Sequence, residues 1–358
     1  MVTNAIKRFR VGVKRFFSDN MEELNEDIQR SSWFIKLLLA LFVVVAIFLI
    51  GLGMYWSDEP DSLDVRQVAE QYASADGQQV VIGTTTTATL IEVANTLLTK
   101  PGGFISNDVA PPGMWLDNMP AWEYGVVVQI RDMSKAMREA FSRSQSQSTE
   151  DNDLANAESR FNFDHDSWWF PASESKYQEG IDFLHGYLRR LGDEDATNAQ
   201  FFARADNLRY WLSTVETRLG SLSQRLSASV GQRRINTDLA GEENASRSTA
   251  VPKEELIKTP WMQIDDVFYQ ARGSAWALSQ FLRAVEVDFA DVLEKKNARV
   301  SLQQIIRELE ATQETIYPPM ILNGTGFGFF ANHSLVMASY ISRANAAIID
   351  LRELLAQG

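Results

Sequence analysis

The pattern of apolar and polar residues begins with one uninterrupted apolar run, Leu37 to Trp56, twenty residues without a charged side chain. At about 1.5 Å per residue, a helix of this length spans roughly 30 Å, the hydrocarbon thickness of a bilayer. Trp33 precedes the run and Tyr55 lies at its end, and such aromatic residues are typical of membrane interfaces. The pattern therefore predicts a transmembrane helix at 37–56.

A cleaved signal peptide and a buried core helix are the alternative interpretations of this run. The charged leader of 36 residues is long for a signal sequence, and the segment that follows, Ser57 to Asp61, has no small-residue cleavage pattern. A core helix would need protein on every side. An uncleaved membrane anchor is therefore the prediction.

Apolar residues at helical spacing dominate the rest of the chain. Steps of three and four residues, which form one apolar seam along a helix, occur at Leu208, Leu212, Val215, Leu219, Leu222 and Leu226. Similar spacing predicts helices at 264–292 and 302–316, and further helices are expected at 63–72, 88–98, 126–141, 174–191 and 331–355. Because sustained alternation with period two is absent, we predict a mostly α fold, an antiparallel helical bundle with coiled-coil-like seams and long ordered loops.

Three segments interrupt the helical pattern. Residues 102–125 combine glycines and prolines with aromatic side chains, which predicts an ordered loop packed on the helices. Residues 161–171 form a second aromatic cluster, and 142–153 are polar and of low complexity. Residues 231–259 are polar with scattered apolar positions, which predicts a long mobile connection.

The charges predict how the chain is oriented in a membrane. The formal net charge is −13, yet the segment before and within the apolar run has more Lys and Arg than Asp and Glu. By the positive-inside rule, residues 1–36 are a cytoplasmic basic leader, 37–56 cross a bacterial inner membrane once, and 57–358 form a periplasmic helical domain. The absence of cysteine fits a bacterial envelope, and the acidic balance argues against nucleic-acid binding. Residues 6–17 are either an amphipathic helix on anionic lipid or a disordered basic tail.

Three motifs carry a family resemblance: GGFISNDVAPPGMWLDNMPAWEYG, SRSQSQSTEDNDL and FNFDHDSWWFP. With them the chain resembles the uncharacterised single-pass inner-membrane proteins of gammaproteobacteria, a family known only as a domain of unknown function. The resemblance implies the topology already argued. It implies no activity, cofactor or site residue.

The aromatic segments supply the candidate binding residues: Met114, Trp115, Met119, Trp122, Trp168 and Trp169. Large aromatic side chains often anchor interfaces, so these residues are expected either to line a groove for an envelope protein, lipid or glycan, or to plug the end of the bundle. No metal or cofactor is expected.

Motifs for chemistry are weak. Asp164-His165-Asp166 could supply metal ligands, but adjacent side chains alternate in direction, so a solvated turn is favoured. The glycines at 323–328 lack the preceding strand of a phosphate loop, and the serines at 144–148 lack a G-x-S-x-G elbow. Four carboxylates lie near apolar residues: Glu70, Glu92, Glu123 and Glu174. We therefore favour a non-catalytic, membrane-anchored binding or scaffold module, with a cell-wall hydrolase that uses one buried carboxylate as the alternative.

Overall fold

The computed structural model describes residues 33–144, 148–193, 195, 197–235, 254–316, 321–326 and 328–357. Its helices are α1 Trp33–Trp56, α2 Val65–Ala75, α3 Thr84–Thr99, α4 Asn118–Ala136, α5 Asn152–Phe161, α6 Ser173–Leu191, α7 Ala205–Ser227, α8 Ile264–Asp288, α9 Ala290–Lys295, α10 Arg299–Glu310 and α11 His333–Ala356. Two short strands complete it, β1 Gln232–Ile235 and β2 Glu254–Ile257. The predicted mostly α fold is confirmed.

The chain divides into two compact units after Tyr55, so all of α1 except its last residue, Trp56, belongs to the first unit. The 24 residues of α1 are long and apolar enough to cross a membrane, and only 6% of its most apolar window is buried within the protein. The core-helix interpretation is therefore wrong. The helix also begins four residues before the predicted start at Leu37, at Trp33. The leader segment 6–17 lies outside the described residues.

Polar pairs between helices show the relative directions of neighbouring helices in the domain. The pairs are Glu216 with Arg352 and Ser223 with Ser342 between α7 and α11, Asp132 of α4 and Glu139 of the helical turn that follows it with Arg218 and Tyr210 of α7, respectively, and Glu286 with Arg299 and Arg283 with Glu310 between α8 and α10. In each pair of helices, a later residue on one helix meets an earlier residue on the other. These neighbours are therefore antiparallel, and the predicted leucine seam of α7 is buried in the shared core.

The pair α4 and α8 departs from the antiparallel rule. Trp122, near the beginning of α4, lies against Trp276 in the middle of α8, and Phe141, just after α4, lies against Phe289, just after α8. The two helices therefore run in the same direction. A side chain at Gly273 would place its Cβ 2.0 Å from the Trp122 carbonyl oxygen, so this glycine permits the backbones to approach this closely.

Several helix boundaries differ from the sequence prediction, and two of the differences have identifiable reasons. Helix α4 begins at Asn118, inside the predicted loop 102–125. Pro120 lies in its first turn, where backbone N–H groups have no intrahelical acceptor, so proline is tolerated there. The predicted helix 264–292 instead ends at Asp288. The Asp288 carboxylate accepts hydrogen bonds from the backbone N–H and the hydroxyl of Thr86, both at 2.7 Å, and so caps the start of α3.

Two further elements were not predicted. Helix α5 begins at the end of the polar segment, where the side chain of Asp151 accepts hydrogen bonds from the first turn of the helix. Leu154 and Phe161 of this helix are buried. Strands β1 and β2 pair antiparallel, with Gln232 opposite Ile257, at the two ends of the predicted connection 231–259. Residues 236–253 between them lie outside the described residues.

The stem that follows α1 is held to the domain by a buried guanidinium. Arg272 of α8 pairs with Glu59 and donates at 2.9 Å to the carbonyl oxygens of Thr312 and Glu314. The Trp276 indole N–H also donates to the Asp61 carbonyl at 3.2 Å. The domain therefore begins within a few residues of the end of α1.

Candidate functional site

The six candidate residues from the aromatic segments divide by exposure. Met119 and Trp122 on α4 are 2% and 0% exposed, and both belong to the main hydrophobic core. They therefore offer no surface to a partner. Met114, Trp115, Trp168 and Trp169 are exposed, Trp169 to 70%.

The four exposed candidates lie on two loops, residues 100–117 and 162–172. The Asn107 amide joins the loops, since it donates to the Ser167 carbonyl at 2.8 Å and to the Glu174 carboxylate at 2.7 Å. Val109 and Phe170 are also exposed on these loops. We call the six residues the loop-tip surface: Val109, Met114, Trp115, Trp168, Trp169 and Phe170.

Hydrogen bonds hold the base of loop 162–172. Arg131 of α4 donates to the carbonyl oxygens of Phe161 and Phe163, both at 2.7 Å. The buried Ser173 hydroxyl donates to the Asp164 carbonyl at 2.7 Å. The Ser167 hydroxyl closes the turn by donating to the Pro171 carbonyl at 3.0 Å. The exposed rings therefore project from a fixed base.

A buried ion pair fixes loop 100–117. The Lys100 ammonium lies 2.6 Å from the Glu123 carboxylate, and both side chains are almost fully buried. That carboxylate also accepts from the backbone N–H groups of Ile105 at 2.9 Å and Ser106 at 2.8 Å, and from the Ser106 hydroxyl at 2.5 Å. Burial raises the pKa of Glu123, while Lys100 and these donors oppose the rise. Glu123 is therefore a positioning group for the loop.

The hydrolase hypothesis needs a buried, unpaired carboxylate in a cleft, and the four candidates differ from that requirement. Glu123 is paired and closed off from solvent. Glu70 is exposed. Glu92 accepts from the Tyr72 hydroxyl at 2.7 Å, and Glu174 from Asn107. None of these four carboxylates therefore has the environment that raises a catalytic acid's pKa without a partner.

His165 of the Asp164–Asp166 motif packs against an aromatic ring. Its imidazole lies 4.6 Å from the Tyr124 ring, and burial lowers the pKa of His165. Among the described residues, no three His, Asp or Glu side chains form a group that could hold a metal ion. The motif therefore contributes to packing between α4 and loop 162–172.

The glycine-rich segment begins and ends in a backbone bridge. Asn323 pairs with Asn332, and the Gly324 N–H donates to the Ala331 carbonyl at 3.0 Å. The Asn332 side chain caps α11 by accepting from the Leu335 N–H at 2.9 Å. These contacts favour a tight turn before a helix rather than a phosphate loop. Ser146, a member of the serine motif, lies outside the described residues.

Sequence reasoning missed a groove of about 380 Å³ beside this turn. Its lining residues are Asp117, Trp261, Met262, Ile264, Asp265, Ile321, Leu322, Asn323, Gly324 and Phe330, and we call it the apolar groove. Trp261 is 80% exposed although it is large and apolar. The Trp-Met pair directly after Pro260 and the Phe-Phe pair after the glycines were the available signals, but neither indicates that the two segments meet.

Two of the residues that line the apolar groove are carboxylates. Asp117 and Asp265 line it, and Asp265 has a buried oxygen without a hydrogen-bond partner. Burial and then the negative charges of Asp265 and Asp117 raise the pKa of Asp266. Among the described residues that line the groove, none is Lys, Arg or His. A cation would therefore be stabilised next to these carboxylates.

Comparison with known proteins places the chain in a family. Residues 27–358 match the family DUF2333, described as an uncharacterised protein conserved in bacteria. No curated protein and no solved structure matches the chain. The match spans all of the described helices, and it confirms the resemblance to a bacterial family of unknown function. The chain belongs to the bacterial family DUF2333.

Proposed function

We propose that this chain is a membrane-anchored binding module of the bacterial inner membrane, with its helical domain in the periplasm. Helix α1 supports the anchor, because it is long, apolar and hardly buried by protein. The basic residues before it and the acidic stem after it support the orientation.

The apolar groove is the observation that carries the binding role. It exposes Trp261, Met262 and Phe330 around a concave space, and large side chains in a pocket are the usual anchors of protein interfaces. The domain holds there a segment of another envelope protein. A glycan is a poorer occupant, because the groove walls offer mainly apolar side chains.

The chemistry of the occupant follows from the charge of the groove. Carboxylates of Asp117 and Asp265 flank the apolar wall, so a Lys or Arg next to apolar anchors complements it. The module therefore binds a polypeptide segment that combines apolar residues with at least one basic residue, and it needs no chemistry of its own.

Peptide selection tests this role. A random peptide library is displayed against the full chain in lipid nanodiscs, and the selected peptides are expected to pair aromatic or aliphatic residues with Lys or Arg. Trp261→Ala and Phe330→Ala should each weaken their binding by about tenfold or more. Val300→Ala is the matched control, because Val300 is 74% exposed on α10. Equal binding by all four proteins would contradict the role of the groove.

A reporter fusion tests the orientation. Alkaline phosphatase, which needs export to become active, is fused after Gly358 and expressed in a bacterium. The charges around 37–56 predict an active enzyme, and a green fluorescent protein at the same position should stay dark. A fluorescent fusion with inactive phosphatase would place the domain in the cytoplasm and end the proposal.

A further inference from the structure

We propose that the loop-tip surface inserts into the interfacial region of the same membrane that α1 crosses, as a second contact between the domain and lipid. The surface presents Trp168, Trp169 and Phe170 in succession, and Phe170 is 93% exposed. Tryptophan and other aromatic residues favour the headgroup region of a bilayer, where an apolar ring and a polar group are both accommodated.

The contact between Trp56 and Gly102 places loop 100–117 next to the end of the anchor. A Cβ on Gly102 would lie 2.7 Å from the Trp56 indole, and Gly102 has a φ of +84°, which few other residues adopt. Trp56 is the last residue of α1. If α1 spans the bilayer, its terminal tryptophan lies at the interface, and the loop that carries Met114 and Trp115 starts there.

The stem that follows α1 is bound along its length to α8 of the helical domain. Arg272 holds Glu59, Trp276 holds Asp61, and the Leu63 N–H donates to the Gln280 side chain at 3.1 Å. Residues 57–63 are therefore bound to the domain rather than free. Loop 162–172 is joined to the first loop through Asn107, so the two sets of tips belong to one connected pair of loops.

The charges near the tips define the lipid class. The two loops carry Asp108, Asp117, Asp164 and Asp166, and Glu174 borders them, whereas Lys100 at the start of the first loop is buried against Glu123. Carboxylates repel anionic headgroups and lower the affinity for anionic surfaces. The surface therefore inserts among zwitterionic lipids such as phosphatidylethanolamine, and a higher fraction of phosphatidylglycerol should weaken its insertion.

The natural absence of cysteine makes a direct test simple. Trp169→Cys in the full chain is labelled with the fluorophore NBD, and the protein is reconstituted into phosphatidylethanolamine–phosphatidylcholine vesicles with or without spin-labelled lipid. Val300→Cys is the control, because Val300 is as exposed as Trp169. Circular dichroism verifies that both labelled proteins are folded.

The proposal predicts that spin-labelled lipid quenches the label at 169 at least about threefold more than the label at 300. Exchanging half of the lipid for phosphatidylglycerol should reduce the difference. Equal quenching at the two positions would overturn the proposal. So would protection of position 169 from aqueous iodide without quenching by lipid, because that result would assign the surface to a protein contact.

Discussion

Trp122 and Trp169 come from two aromatic segments of similar composition, yet one lies in the core and the other on the surface. Trp122 lies between α4 and α8 with 0% of its side chain exposed, and Trp169 is 70% exposed on a loop. The composition of the two segments does not distinguish the buried residue from the exposed one. What separates them is Gly273, far along the chain, which lets α8 approach the backbone of Trp122.

The comparison teaches that aromatic content marks two different roles in this chain. Buried rings such as Trp122 and Trp276 hold helices together. Within the described part of the chain, exposed rings such as Trp169 and Trp261 do not hold helices together, and their burial by another molecule would be favourable.

The largest expected effect is the loss of stability on truncating the buried residue of the comparison, Trp122. Trp122→Ala leaves a cavity between α4 and α8, and such truncations lower the free energy of unfolding by about 3–5 kcal/mol. Trp169→Ala, the matched control, should change it by less than about 0.5 kcal/mol. Thermal unfolding of the full chain in nanodiscs, followed by near-ultraviolet circular dichroism, measures both. Similar losses for the two variants would show that the exposed ring also packs the fold.

A smaller effect concerns the ion pair beneath the loop-tip surface. Lys100→Met removes the ammonium, but Glu123 keeps the donors of Ile105 and Ser106. We therefore expect the free energy of unfolding to fall by about 3 kcal/mol. Adding Glu123→Gln removes the unpaired charge and should restore part of that loss. The same thermal unfolding experiment checks this. A double variant less stable than Lys100→Met would contradict a role confined to charge pairing.

Much of the fold could be predicted from the chain, because it depends on local periodicity. The leucine seam from Leu208 to Leu226 is buried as expected, and α1 follows from its apolar composition. The threonine-rich start of α3 could not be predicted, because Asp288 caps it from about two hundred residues away.

The candidate site was predictable only in part. The exposure of Trp115, Trp168 and Trp169 agrees with their choice as surface candidates, whereas Met119 and Trp122 are core residues. The apolar groove was missed because it forms where Trp261 and Phe330 meet in space, and no spacing along the chain encodes that meeting.

Site-specific photo-crosslinking tests the central claim, that the exposed aromatic surfaces contact different molecules outside the chain. The full chain carries benzoylphenylalanine at position 330, 169 or 300 in the bacterium that encodes it, and adducts are resolved by gel electrophoresis. The account predicts a discrete protein adduct from position 330, competed by the selected peptides, and none from position 169 or 300. The same adduct pattern at 330 and 300 would contradict it.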